Sequence, residues 1–201
     1  MTKAIRDGAR TKVAMREAAT KLFFEQGYEA TSLRAVASEV GIQVGSLYNH
    51  IKGKDELLTD IMIAVMDDLL LLVNEAIAGT EQTPIARFEA AMDCHIRYHA
   101  EHARKVFIGN SELRALNNAD RKAVTARRRE YEELLESLIH DVAQEAGSDV
   151  LDEKLQTYAI LALGAHVASW YKPRGAVSLS RVVETYTRMS LRQMGIDDSV
   201  G

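Results

Sequence analysis

Proline is scarce: Pro84 and Pro173 are the only two in 201 residues, so long stretches lack the residue that stops a helix. No segment alternates apolar and polar residues as a half-buried strand would, and the two absences together predict an all-α protein. A single cysteine, Cys94, excludes an internal disulfide and a cysteine-based zinc site, and it fits a reducing cytoplasm. It falls inside a helical pattern and reads as a small core filler rather than a reactive thiol. The longest apolar run, residues 61–73, is interrupted by Asp67-Asp68 and is too short to span a bilayer. The opening MTKAIRDGARTK has no apolar stretch and does not read as a signal peptide, so no membrane partner is expected. Gly45 and Gly53-Lys54 do not make a phosphate loop, because the spacing is too long and Asp55 follows the lysine. No nucleophile elbow, metal motif or glycine-rich cofactor loop appears, so neither an enzyme nor a bound cofactor is expected.

What the chain does have is concentrated between Thr31 and Leu57, TSLRAVASEVGIQVGSLYNHIKGKDEL. Leu33, Val36, Ala37 and Val40 recur at helical spacing and define one buried face. Thr31 and Ser32 are both good N-cap residues, and Gly41 stands where a left-handed C′ residue ends the helix. A second short helix repeats the pattern with Val44, Leu47, Tyr48 and Ile51, leaving Gln43, Ser46, Asn49 and His50 on its polar side. Two such helices in succession predict a helix-turn-helix, whose second helix enters a major groove. A preceding helix from about Arg10 to Gln26 supplies Met15, Ala18, Ala19, Leu22 and Phe23 as its core stripe, and Gly27 closes it. Before it, Lys3, Arg6, Arg10 and Lys12 form a sparse basic arm that is expected to be mobile at its start.

The net charge of −4 runs against nucleic-acid binding until it is divided. Residues 1–54 carry nine Lys/Arg against five Asp/Glu, a balance of +4, and the remainder holds −8. Phosphate neutralisation is local, so the sign of the patch decides and not the total.

From Ala18 through Leu58 the chain resembles the DNA-binding domain of the TetR family of transcriptional repressors. The resemblance is carried by Phe23 to Gly27-Tyr28, Thr31-Ser32-Leu33, Ala37, Gly41-Ile42, Gly45, Leu47-Tyr48, His50 and Lys54-Asp55-Glu56-Leu57. It implies a three-helix DNA-binding domain over residues 1–53 and a larger helical ligand-binding and dimerisation domain over residues 54–201. Two positions depart from the family: Gln43 where Ser or Thr is usual, and Ile51 where Phe is usual. Gln is a poor N-cap, which leaves Gln43 free to turn toward a base edge or phosphate. Tyr48 and His50 resemble family residues that contact phosphate. Gln43, Ser46 and Asn49 are the candidates for base edges, since amide side chains pair bidentately with adenine. Arg34 and Thr31 are candidate phosphate clamps, and Lys54 begins a helix whose N-terminus also favours phosphate.

A long helix, about Lys54 to Ala78, carries Leu57, Ile61, Val65, Leu69 and Leu72 on one face. Thr83-Pro84 is a cap followed by proline at the first helical position, starting a helix to about Ala100. Helices follow at about 103–116 and 120–146, the latter with a charged face from Arg127 to Glu136 that reads as solvated. His95, His99 and His102 line one helix face, but ligands so nearly collinear do not surround an ion, and a fourth would have to come from Glu112 or His166. They read as pocket or core residues, with a surface position as the alternative. The segment from Leu155 to Trp170 is dense in small residues, and a final helix runs from its cap at Ser178 to about Met194. By resemblance, these last two helices form a homodimer interface, as a palindromic operator requires.

The resemblance therefore implies a ligand-responsive repressor binding double-stranded operator DNA as a homodimer. Its effector pocket is expected to be lined by Phe88, Met92, His95, His99, Phe107, Asn110 and Trp170. The stretches His102–Phe107 and Ser169–Gly175 are similar to acyl-CoA-responsive members of the family, with Arg104, Lys105 or Arg127–Arg129 then meeting the CoA phosphates. The rival effector is another apolar small molecule. The rival function is a helical carrier or adaptor that does not bind DNA.

Overall fold

The computed structural model describes residues 3–196, with side chains from residue 8 onward. The elements are α1 (Lys3–Gln26), α2 (Leu33–Val40), α3 (Val44–Leu47), α4 (Lys54–Ala78), α5 (Pro84–Glu101) and α6 (Ala103–Ser111). A single 3-10 turn (Leu113–Ala115) precedes α7 (Asn118–Ala146), α8 (Glu153–Ala165), α9 (Val167–Trp170) and α10 (Leu179–Gln193). There is no strand among the described residues, so the all-α reading holds. The basic arm is corrected: the backbone from Lys3 already belongs to α1, while the side chains of Lys3 and Arg6 lie outside the described residues.

The chain divides into two compact units. One unit comprises the residues up to Val65 together with Arg104–Thr125, and the other the residues from Met66 to Ala103 and from Ala126 onward. The reason is packing. Leu57, Leu58, Ile61 and Met62 of α4 are buried in the same core as Met15, Leu22, Phe23, Val36 and Leu47, so the first turns of α4 cannot be separated from the helix-turn-helix. Ile108 of α6, Leu116 at the end of the 3-10 turn and Val124 of α7 join that core from far along the sequence. Phe107 meets Phe24 edge to face at 5.4 Å on the surface of this unit, with the Arg104 guanidinium over the Phe24 ring.

Within this unit the turn chemistry follows the sequence. Ser32, not Thr31, caps α2 by accepting from Ala35 N–H at 3.2 Å. Gly41 has φ +77°, a region that costs any residue with a Cβ, and Ile42 N–H closes back on Ala37 C=O at 2.9 Å.

In the second unit α5 is the central helix, packed by α8, α9 and α10. Phe88, Met92, His95, Ile96, Tyr98 and His99 are buried along it. Tyr131, Leu135, Leu138, Ile139 and Val142 of α7 add to the interior. The α7 charges are solvated as expected, in pairs such as Arg127–Asp67, Arg129–Glu133 and Lys154–Glu136, each worth little alone. Two expectations shift. Leu72 is exposed beside Leu71, and Val73 continues the buried face of α4 instead. The helix expected from Leu155 to Trp170 breaks at His166 into α8 and α9.

Near that break, Gly164 is buried against the imidazole of His95: a Cβ there would lie 2.3 Å from His95 Cδ2. Gly164→Ala is therefore expected to destabilise by about 1–3 kcal/mol, measured by urea denaturation. In a His95→Ala background the same change should cost little, because its neighbour is gone.

Candidate nucleic-acid interface and effector-binding interior

α3 is a single turn of four residues, too short to stand alone. It is held by Leu47 and Ile51, both buried. The chain keeps turning beyond it, with His50 N–H and Ile51 N–H both donating to Leu47 C=O. That geometry turns Gln43, Ser46 and Asn49 to the exterior, with His50 half-buried beside Gly8 of α1. Gln43 stands at the N-cap position of α3 and makes no side-chain cap bond, as its chemistry predicted. Tyr48 does not extend the apolar repeat of Val44, Leu47 and Ile51; it is 55% exposed and joins the polar ridge. Arg34 is exposed on α2.

Two of the expected phosphate contacts are engaged inside the protein. Thr31 is 2% exposed, and its hydroxyl donates to Gly27 C=O at 2.8 Å and lies 3.2 Å from Leu22 C=O. It ties the end of α1 to the start of α2 and is not a surface clamp. Lys54 Nζ donates to Tyr28 C=O at 2.9 Å and Glu29 C=O at 3.2 Å, over the Tyr28 ring. Tyr28 in turn donates its hydroxyl to Asp55. Lys54 thus fastens the turn after α1 to the start of α4. The surface ridge is Arg34, Gln43, Ser46, Tyr48 and Asn49, with His50 at its edge.

The residues expected to line an effector pocket separate into two groups. Phe88, Met92, His95 and His99 come together inside the second unit. Trp170 is at its surface, 38% exposed, with its ring edge toward Tyr186. Phe107 and Asn110 are corrected: both are exposed on α6, in the unit that holds the helix-turn-helix. Their helix packs by Val106 and Ile108, which turns these two side chains outward. Among the residues suggested for phosphate, Arg127 and Arg129 already pair with carboxylates.

Tyr131 was not anticipated. It is buried, and its hydroxyl lies 2.8 Å from His95 Nδ1, while His95 Nε2 is 3.3 Å from Leu161 C=O. His99 donates from Nδ1 to His95 C=O at 2.7 Å, and His102 does the same to Tyr98 C=O at 3.0 Å. Only the three-dimensional approach of α7 to α5 reveals the tyrosine, since 36 residues separate it from His95. Burial pushes the His95 and His99 imidazoles below their ordinary range, and the Tyr131 hydroxyl upward.

Both histidines are thus neutral in the folded chain at neutral pH, whereas unfolded histidine titrates near 6.5. As pH falls through that value the unfolded chain takes up protons first, so stability declines on acidification. Urea midpoints are expected to be lower at about pH 5.5 than at about pH 7.5, with a shallower fall in a His95→Gln/His99→Gln variant. A second outcome follows from Thr31. Thr31→Val should lower stability by about 1 kcal/mol through its lost hydrogen bonds and leave DNA affinity per folded molecule unchanged, read by denaturation and fluorescence anisotropy together.

Comparison with known proteins agrees with this arrangement. Residues 16–61 match the sequence pattern of the bacterial regulatory proteins of the tetR family, and residues 81–194 match the Tetracyclin repressor-like C-terminal domain. The transcriptional repressor KstR2 of Rhodococcus jostii is 25% identical over 189 residues, covering 92% of this chain and 91% of that protein. A tetR-family regulatory protein from Rhodococcus RHA1 superimposes with a TM-score of 0.85 at 22% identity, covering 98% of this chain and 100% of the other. AibR, solved in complex with isovaleryl coenzyme A and operator DNA, superimposes with a TM-score of 0.80 at 25% identity, covering 89% and 97%. No described helix is long and apolar enough to cross a membrane. With an N-terminal helix-turn-helix and a C-terminal helical domain both matching across most of its length, this chain belongs to the TetR family of transcriptional regulators.

Proposed function

We propose that the chain is a homodimeric repressor that binds a palindromic operator in the cytoplasm and is released from it by an acyl-CoA thioester or a similarly apolar effector. The observation that carries the reading is the exposed ridge of Gln43, Ser46, Tyr48 and Asn49 raised over buried Leu47 and Ile51. Asn49 and Gln43 read base edges, Ser46 assists, and Tyr48, His50 and Arg34 hold phosphates. Dimerisation is supported by apolar side chains that α8 and α10 leave in solvent. Leu155 is 64% exposed, with Tyr158 and Ala162 further along α8 and Met189 on α10. Two recognition helices must then stand about 34–36 Å apart to meet successive major grooves. An effector that binds better at another separation shifts the population away from DNA. Support for the effector class comes from AibR, a relative of similar fold solved with isovaleryl coenzyme A and operator DNA.

Selection of bound sequences from random duplexes tests the DNA reading, and a palindromic consensus is the expected result. Affinity for that site should fall steeply with salt. Asn49→Ala and Gln43→Ala should each lose about 1–3 kcal/mol at the cognate site without loss of helicity. Leu155→Glu is expected to yield monomers by light scattering and to abolish operator binding. The absence of salt-sensitive duplex binding would instead favour a carrier or adaptor.

A further inference from the structure

Gly45 is a helical glycine that the fold does not require. Its φ is not positive, unlike those of Gly27 and Gly41. A Cβ built on it would meet nothing within 4 Å, whereas one on Gly164 would collide with His95. Neither backbone conformation nor packing therefore excludes a side chain, and alanine would favour the short turn of α3 more. The space left open is the size of one methyl group and faces outward, since Gly45 is exposed.

The polar groups around that notch are of one kind. From Gln43 to Asn49, QVGSLYN, no side chain carries a charge. Val44 packs partly against the core and Leu47 fully, which leaves two carboxamides, the Ser46 hydroxyl and the Tyr48 phenol in solvent. The chain keeps turning to Ile51, whose N–H reaches Leu47 C=O at 3.2 Å, so Asn49 stands one turn beyond Gly45 on the same side. A carboxamide offers one kind of donor and one acceptor, which match the N7 and N6 amino group of adenine in a major groove. Guanine presents two acceptors there, and the amide oxygen would be left facing one of them. The exposed cations Arg34 and Lys52 lie outside this run and suit phosphates instead.

We propose that the base pairs beneath α3 are A·T, with a thymine 5-methyl seated in the notch at Gly45 and the adenine of a neighbouring pair held by Asn49. The inference rests on the operator-binding reading given above and specifies the class of DNA sequence that the ridge selects. Thymine alone among the four bases carries a methyl on its major-groove edge. Any residue with a Cβ at position 45 would occupy the place of that methyl.

The test uses the full chain and an operator selected from random duplexes. Each thymine position is replaced in turn by deoxyuridine, which pairs as thymine does but lacks the 5-methyl. Binding is read by fluorescence anisotropy at fixed salt, and stability by urea denaturation. At one position the replacement is expected to weaken binding about fourfold per half-site, the worth of one buried methyl. Gly45→Ala should raise the urea midpoint and yet weaken the thymine operator at least about tenfold. The same variant should bind the uracil operator better than the thymine operator, because its own methyl occupies the vacated space. Asn49→Ala should level the preference for adenine over guanine at a neighbouring pair. Indifference to uracil at every position, equal loss on both operators in Gly45→Ala, or a lowered urea midpoint in that variant overturns the inference alone. If no duplex is selected, or binding does not respond to salt, the operator reading falls and takes the inference with it.

Discussion

The burial of Leu47 and Ile51 is the constraint on which the exposed polar ridge of the helix-turn-helix depends. A helix of one turn has no stability of its own, because nucleation costs more than its few hydrogen bonds return. It persists only while those two side chains remain in the core built by α1, α2 and the first turns of α4. The same anchoring sets which residues face outward. Once Leu47 points in, Gln43, Ser46, Tyr48 and Asn49 have nowhere to go but solvent. The buttress is itself secured by polar ties, with Thr31 bonded to the end of α1, Lys54 to the turn that follows it and Tyr28 to Asp55. Residues that look like phosphate contacts by type are thus used to make the ridge rigid.

In the second unit the corresponding constraint is that α5 is packed by α8, α9 and α10 while carrying polar side chains. The histidines of α5 find their partners internally: His95 with Tyr131 and the Leu161 carbonyl, His99 and His102 with carbonyls of their own helix. Close approach of α8 is possible because Gly164 has no side chain at the contact.

Helix periodicity and punctuation were legible because they are local. The span Lys54–Ala78, the Thr83-Pro84 start, the stop at Gly41 and the failure of Gln43 to cap all follow from neighbouring residues. The helix break at His166 was not legible, and neither was the first turn of α1 at Lys3. Small residues and an irregular basic stretch carry too little periodicity to set a boundary. The contribution of Ile108, Leu116 and Val124 to the helix-turn-helix core also escaped, since these residues reach it only through tertiary packing.

By itself, then, the sequence determined the all-helical class, the helix-turn-helix, and the outward facing of Gln43, Ser46 and Asn49, though not of Tyr48, because spacing along a helix decides which residues share a face. Tertiary structure alone decided which polar residues are available. It buried Thr31, engaged Lys54 with backbone carbonyls, placed Phe107 and Asn110 in the unit that holds the helix-turn-helix, and brought Tyr131 and Gly164 to His95. Residue type says what a side chain can bond to; only the packing of distant segments says whether that bond has already been made inside the protein.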